Sequence, residues 1–300
     1  MTDDSADPAH RSIPDRDADG GPLDAVRSEP GAEPVTAVVL AGGDAYDALA
    51  AAVGAPAKAL VPLKGRPLGA YVLDALQAAD GVRRIVWVGA CDRAMRARFD
   101  LHVPGGPRLV DSLALGLGAA LPGMRPSEKI LVVSADVPWL RGASVDRFLA
   151  DAGADHDLVL PVVARPAYEA TFPGLARTWA RLADGDVTGG NLLLGRPDAL
   201  RTLLPWVDLA TRDRKVPWRL ALRLGPWTLL SVALRFATLA SVERRVARLT
   251  GLRVRALRSD DPVLGTDVDR IEHLPATLEL AEPGTREPPH PQASSGGRWP

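Results

Sequence analysis

The sequence predicts an α/β fold: a doubly wound, mostly parallel sheet that carries a helical insert. Three observations point there. Apolar runs of six or seven residues alternate with longer amphipathic stretches, the pattern of strands joined by crossover helices. The runs are continuously apolar rather than alternating, as expected of strands covered on both faces. Glycines or an acid follow two of these runs directly, at the strand ends where open α/β sheets bind ligands.

The elements follow in order. "VTAVVL" (35–40), "RRIVWVG" (83–89), "KILVVS" (129–134) and "DLVLPVV" (157–163) read as strands. Between them, "PLGAYVLDALQAA" (67–79), "DSLALGLGAAL" (111–121) and "ASVDRFLA" (143–150) read as helices. A strand "NLLLG" (191–195), helical stretches over 198–249, a strand "RVRALR" (253–258) and a closing helix over 271–280 complete the pattern.

The 300 residues are 46% hydrophobic and 24% charged, which fits a globular chain and excludes one embedded in lipid. A net charge of −1 provides no whole-chain field for nucleic acid or membrane, so nucleic acid is not an expected partner. Residues 1–34 carry nine acids against three arginines and few large apolar groups, and read as a disordered acidic tail. Residues 282–300, rich in Pro, Gly and Ser, read the same way, which leaves one domain over 35–281. The N-terminus lacks an apolar core and reads as no secretory signal. Cys91 is the single cysteine, so no internal disulfide forms and a cytoplasmic setting is expected. The apolar stretch 224–234 contains Gly225 and Pro226 and is too short to span a bilayer.

Candidate site residues lie just past the strands. Leu40, Ala41, Gly42 and Gly43 form "LAGG", where the absence of Cβ atoms lets backbone N–H groups approach a phosphate. A plain tight turn would use the same glycines. Lys58 is the only charge between Asp47 and Lys64, a point charge suited to a phosphate oxygen. Asp136 ends an apolar run in "VVSADVPWL", where a carboxylate needs a partner or a cation. Asp267 and Asp269 precede the closing helix in "DVDRIEHL". Capping is the rival reading for each aspartate. Carboxylates beside a phosphate also suit Mg²⁺.

The ordered set "VVLAGG", "KAL", "GRPL", "VVSADVPWL" and "DVDRIEHL" resembles the MobA-like NTP transferases, nucleotidyltransferases of the molybdenum-cofactor guanylyltransferase type. The wider superfamily includes sugar-phosphate nucleotidyltransferases and sugar-acid cytidylyltransferases. The resemblance implies a Rossmann-like fold of the nucleotide-diphospho-sugar transferase type. It implies transfer of an NMP from an NTP to a phosphorylated small-molecule acceptor, with Mg²⁺ as cofactor and pyrophosphate as product. It assigns the nucleotide to Leu40, Ala41, Gly42 and Gly43, its phosphates and catalysis to Lys58, and the metal to Asp136 and Asp269. Asp136 also counts as catalytic. Thr188 and Asn191, in "VTGGNLLLG", look like acceptor-binding residues, with a glycine turn before an edge strand as the equal alternative.

One departure stands out. The family usually carries an arginine shortly after the glycines, and none lies between Gly43 and Lys58; Lys64 or Arg66 is the substitute in sequence. Two other functions share the pattern: a nucleotide-binding regulator without catalysis, and a glycosyltransferase using "DVD" as its metal motif.

Residues 201–250 form a basic helical insert, ten basic residues against three acids. It reads as a cap packed on the core, as a source of cations at the site mouth (212–218), or as a peripheral membrane contact through 212–240.

Overall fold

The computed structural model describes residues 33–42, 47–125, 127–213 and 236–270. Gly43, the closing helix expected at 271–280, the tail at 282–300, nearly all of that at 1–34, and the middle of the basic insert with most of the 212–240 stretch lie outside the described residues.

The first apolar run forms β1 (Val35–Ala41). A short helix, α1 (Ala48–Ala52), follows; the Asp47 side chain accepts from the Ala50 amide at its start. A 3-10 turn (Lys58–Leu60) and a hairpin of β2 (Pro62–Leu63) and β3 (Arg66–Pro67) lead to α2 (Leu68–Gln77). Next come β4 (Val82–Gly89), α3 (Arg93–Arg96), β5 (Leu101–Val103), α4 (Leu109–Ala120) and β6 (Ile130–Ser134). They are followed by α5 (Gly142–Ala152), β7 (Leu158–Ala164), α6 (Arg165–Thr171), β8 (Ala180–Leu182), β9 (Gly185–Gly189) and β10 (Leu192–Gly195). The helices α7 (Pro197–Asp213) and α8 (Leu239–Thr250), the strand β11 (Val254–Ser259) and a 3-10 turn (Pro262–Gly265) end the described chain.

Nine strands form one sheet in the order β5–β4–β1–β6–β10–β7–β9–β8, with β11 paired to β7. The β5, β4, β1 and β6 strands are parallel, as are β7 and β11. The expected strand at 191–195 is present as β10, and it runs antiparallel between β6 and β7.

Alternate residues of β1 enter different cores, which is what a doubly wound sheet requires. Ala37, Val39 and Ala41 pack with Leu68 and Leu73 of α2 and Phe148 of α5. Val38 packs with Leu113 and Leu117 of α4 and Leu200 of α7. Burial on both faces explains why the strand is apolar but for Thr36, whose hydroxyl donates to Glu128 at 2.7 Å. The start of the basic insert therefore covers the sheet: α7 lies against α4. Among the described residues, no helix is long and apolar enough to cross a membrane.

The β9 and β10 strands pair with successive stretches of β7 and are interrupted at Gly190 and Asn191. The Gly190 amide donates to the Pro161 carbonyl and the Asn191 amide to the Leu264 carbonyl, both at 2.8 Å. A Cβ on Gly190 would lie 2.5 Å from Pro161 and 2.9 Å from the Leu264 oxygen, so only glycine fits this crossing. The break brings Asn191 to the rim beside β6.

Candidate active site

The glycine turn is shaped by close packing of two strand ends. Ala41 is in register with Gly89 of β4. Gly89 has φ +119, and a Cβ there would stand 2.5 Å from the Gly42 nitrogen. The backbone at the end of β1 is thus pressed against that of β4, leaving a side-chain-poor slot. This slot, about 280 Å³, is lined by Gly42, Lys58, Gly89, Gly105 and Gly106 among others.

Lys58 starts the 3-10 turn and reaches back to the strand ends. Its Nζ pairs with the Asp136 carboxylate and with Asp269 Oδ1 at 2.5 Å. Asp136 follows β6, is 8% exposed, and accepts from the Ser134 hydroxyl at 2.5 Å. Its backbone also shapes the site: the Val268 amide donates to the Asp136 carbonyl at 3.0 Å. Val268 is 0% exposed. In an extended segment, neighbours alternate sides, so burying Val268 turns Asp267 and Asp269 together toward Asp136. One carboxylate oxygen from each of the three aspartates lies within 4.8 Å of the others.

The charges here are strongly coupled. Burial opposes the Lys58 charge, but the Asp136 carboxylate and the bonds to Asp136 and Asp269 raise its pKa above the ordinary lysine value. Burial and the neighbouring Asp136 charge lift Asp267 from 3.8 to about 6, against the pull of its partner Arg177. Asp269 goes the other way: although burial works against it, the hydrogen bond and charge of Lys58 lower its pKa. Three carboxylates therefore gather on two cations, and one of them resists ionisation. A cluster with excess negative charge and several oxygen donors fits a divalent cation.

A larger cleft, about 850 Å³, opens beside this cluster. Leu40, Ala41, Gly42, Lys58, Asp136, Asn191 and Asp269, all singled out in the sequence, line it. The Asn191 Nδ2 is buried and finds no hydrogen-bond partner among the described residues. Thr188 is not among the lining residues. It is 5% exposed, and its methyl group packs beside Gly265. The two candidate substitutes for the post-glycine arginine are not in the lining either. Lys64 occupies the β2–β3 turn with φ 48. Arg66 bonds Asp74 at 2.6 Å and stacks over the Tyr71 ring at 4.7 Å.

Sequence reasoning missed two arginines. Arg177 lies in an irregular segment after α6, with no periodic pattern to mark it. Arg108 follows Gly105, Gly106 and Pro107 past β5, and it lines the cleft. The same strand-end logic would have found it, but a strand of three residues leaves no apolar run to recognise.

The geometry agrees with what the chain is similar to. Residues 37–251 match the pattern of the MobA-like NTP transferase domain. The chain belongs to that family. As a MobA-like NTP transferase it is a nucleotidyltransferase. A solved structure described as a hypothetical transferase from Thermus thermophilus is 38% identical to this MobA-like chain. That likeness covers 80% of this chain and 99% of the other, with a TM-score of 0.71. The bifunctional protein GlmU of Burkholderia thailandensis is 39% identical over 102 residues, which span 33% of this chain and 22% of GlmU. CMP:2-keto-3-deoxy-manno-octonic acid synthetase, solved with CTP, aligns over 83% of this chain and 98% of its own at 14% identity and a TM-score of 0.50. That likeness shows the fold alone.

Proposed function

We propose that this MobA-like transferase moves a nucleoside monophosphate from an NTP onto the phosphate of a small phosphorylated acceptor and releases pyrophosphate. The observation that carries the reading is the meeting of Lys58 with Asp136, Asp267 and Asp269 at the strand ends, beside the glycine slot.

In this reaction an acceptor phosphate oxygen forms a bond to the α-phosphorus. The bond from that phosphorus to the bridging oxygen breaks, and its electron pair leaves on pyrophosphate. An acceptor phosphate is largely ionised at neutral pH, so no side chain need remove a proton. The work left to the protein is alignment and charge neutralisation. Lys58, held charged by its carboxylate partners, meets the NTP phosphates and stabilises charge building on pyrophosphate. Gly42, with Leu40 and Ala41, offers backbone close enough to approach a phosphate or base, and Gly43 follows in sequence without a side chain to block it. Asn191 presents an unpartnered donor to an acceptor hydroxyl or phosphate. Asp136 and Asp269, with Asp267 beside them, would hold Mg²⁺, which when bound supplies neutralisation of phosphate charge.

Pyrophosphate release, assayed with each of the four NTPs, Mg²⁺ and a panel of sugar phosphates, tests this reading. Release dependent on one NTP and one acceptor is the expected result. A nucleoside diphosphate product would show glycosyl transfer instead. NTP binding without turnover across the panel would favour a regulator.

A further inference from the structure

Among the described residues, two cations line the larger cleft, Lys58 and Arg108. Lys58 is already shared between two carboxylates. An NTP brings about four negative charges, more than one amine can balance. Arg108 stands where the Gly105–Gly106 loop, which lines the glycine slot, passes into α4. It therefore lies where the slot opens into the cleft, next to Pro107, which lines the slot itself.

Its guanidinium is held by two acids that differ in kind. Asp111, three residues along on α4, accepts from both Nε at 2.9 Å and Nη2 at 2.6 Å. That two-point grip fixes the plane of the fork. Asp208, from α7, accepts one bond from Nη1 at 2.7 Å. Three N–H groups of the five serve these bonds, and the side chain is 48% exposed to the cleft and solvent. Asp208 lines the cleft as well, so its carboxylate lies where an incoming anion would approach Nη1.

We propose that Arg108 binds the phosphate chain of the NTP, with a phosphate oxygen replacing Asp208 on the guanidinium while Asp111 keeps the fork in place. This rests on the nucleotidyl-transfer reading and supplies the arginine that the sequence between Gly43 and Lys58 lacks. A triphosphate carries more total charge than one carboxylate, and its oxygens match the planar fork. Asp208 then acts as a placeholder that keeps Arg108 extended over the cleft before substrate arrives.

Removing Asp208 and removing Arg108 predict opposite effects on binding. Calorimetric titration of tripolyphosphate with Mg²⁺ into the full chain would compare wild type, Arg108→Gln and Asp208→Asn. Arg108→Gln should weaken binding roughly tenfold or more, the scale of a charge-assisted contact. Asp208→Asn should tighten it, because the competing carboxylate is gone. An arginine that merely ties α4 to α7 would lower thermal stability in both variants and leave both affinities unchanged or equally reduced; either result overturns the inference. Wild-type pyrophosphate release with an unaltered NTP KM in Arg108→Gln overturns it alone. Absence of both tripolyphosphate binding and pyrophosphate release in wild type overturns the nucleotidyl-transfer reading and this inference with it.

Discussion

The amide of Val268 donates to the carbonyl of Asp136 at 3.0 Å, and this one bond sets the carboxylate cluster. It locks the segment from Thr266 to Asp269 across the end of β6. Because Val268 points into the core, its two neighbours face Asp136. The cluster is thus made by an irregular segment whose middle residue is buried, past β11 and the 3-10 turn that follows it.

The first prediction concerns Asp136. Its carboxylate holds Lys58 and is one of three oxygen donors in the cluster. Asp136→Asn keeps the shape and the Ser134 contact but removes the charge. Mg²⁺-dependent turnover should fall by about 10²–10³-fold, the loss typical of one preorganised electrostatic contact. Pyrophosphate release and a melting curve measured on the same sample check it. Full activity with reduced stability would show that Asp136 is structural.

Lys58 gives the second prediction, in which two readouts move oppositely. Lys58→Met leaves the buried Asp136 carboxylate without its amine, which should destabilise the ion-free protein by about 3 kcal/mol. The same change removes a competitor for Asp136 and Asp269. Mg²⁺ should therefore raise the melting temperature of the variant more than that of wild type, while turnover is lost. An equal or smaller Mg²⁺ shift in the variant would sink the shared-site idea.

Gly89 tests the slot. At φ +119, and with a Cβ only 2.5 Å from the Gly42 nitrogen, alanine meets both strain and collision. Gly89→Ala should cost about 3 kcal/mol or more in urea unfolding and weaken nucleotide binding, because relief requires β1 and β4 to part at their ends. Wild-type stability would mean that the two strand ends yield easily.

A fourth prediction lies at the other end of the sheet. Asp157 accepts from the Arg253 amide at 2.9 Å and from its guanidinium at 2.8 Å, joining the starts of β7 and β11. The hydrogen bonds from Arg253 hold its pKa down, from 3.8 to about 2. A depressed carboxylate stabilises the fold above its unfolded value and stops doing so as pH falls through its folded one. Asp157→Asn should therefore cost about 1 kcal/mol at pH 7, once solvent screening is allowed for, and the gap from wild type should close between about pH 4 and pH 2. Urea midpoints measured across that range check it.

Much of the fold is legible because burial on both faces writes itself as unbroken apolar runs. Ala37 to Leu40 and Ile130 to Val133 are such runs, and each lies in a strand. The reversal of β10 is not legible, since Leu192 to Leu194 would look the same in either direction. Nor are β5 and β8, at three residues each, long enough to show a period. In the site, Asp136 stands out as an acid ending an apolar run. Asp267 and Asp269 look like rivals for one position, and the buried Val268 between them explains why both join Asp136 in the cluster. Thr188 and Asn191 look like a pair in the sequence, yet the strand break at Gly190 separates a buried residue from a lining one.

The site draws on residues made at very different moments of synthesis. Lys58 and Asp269 are 211 positions apart. While the polypeptide is emerging from the ribosome, the glycine slot and the amine can form long before the last two aspartates exist. A nascent chain that has not yet placed Asp267 and Asp269 against β6 should therefore show no turnover. A fragment halted before Thr266 keeps every strand of the sheet but lacks two of the three clustered carboxylates, so the order of synthesis alone should hold back turnover until Asp269 has been added.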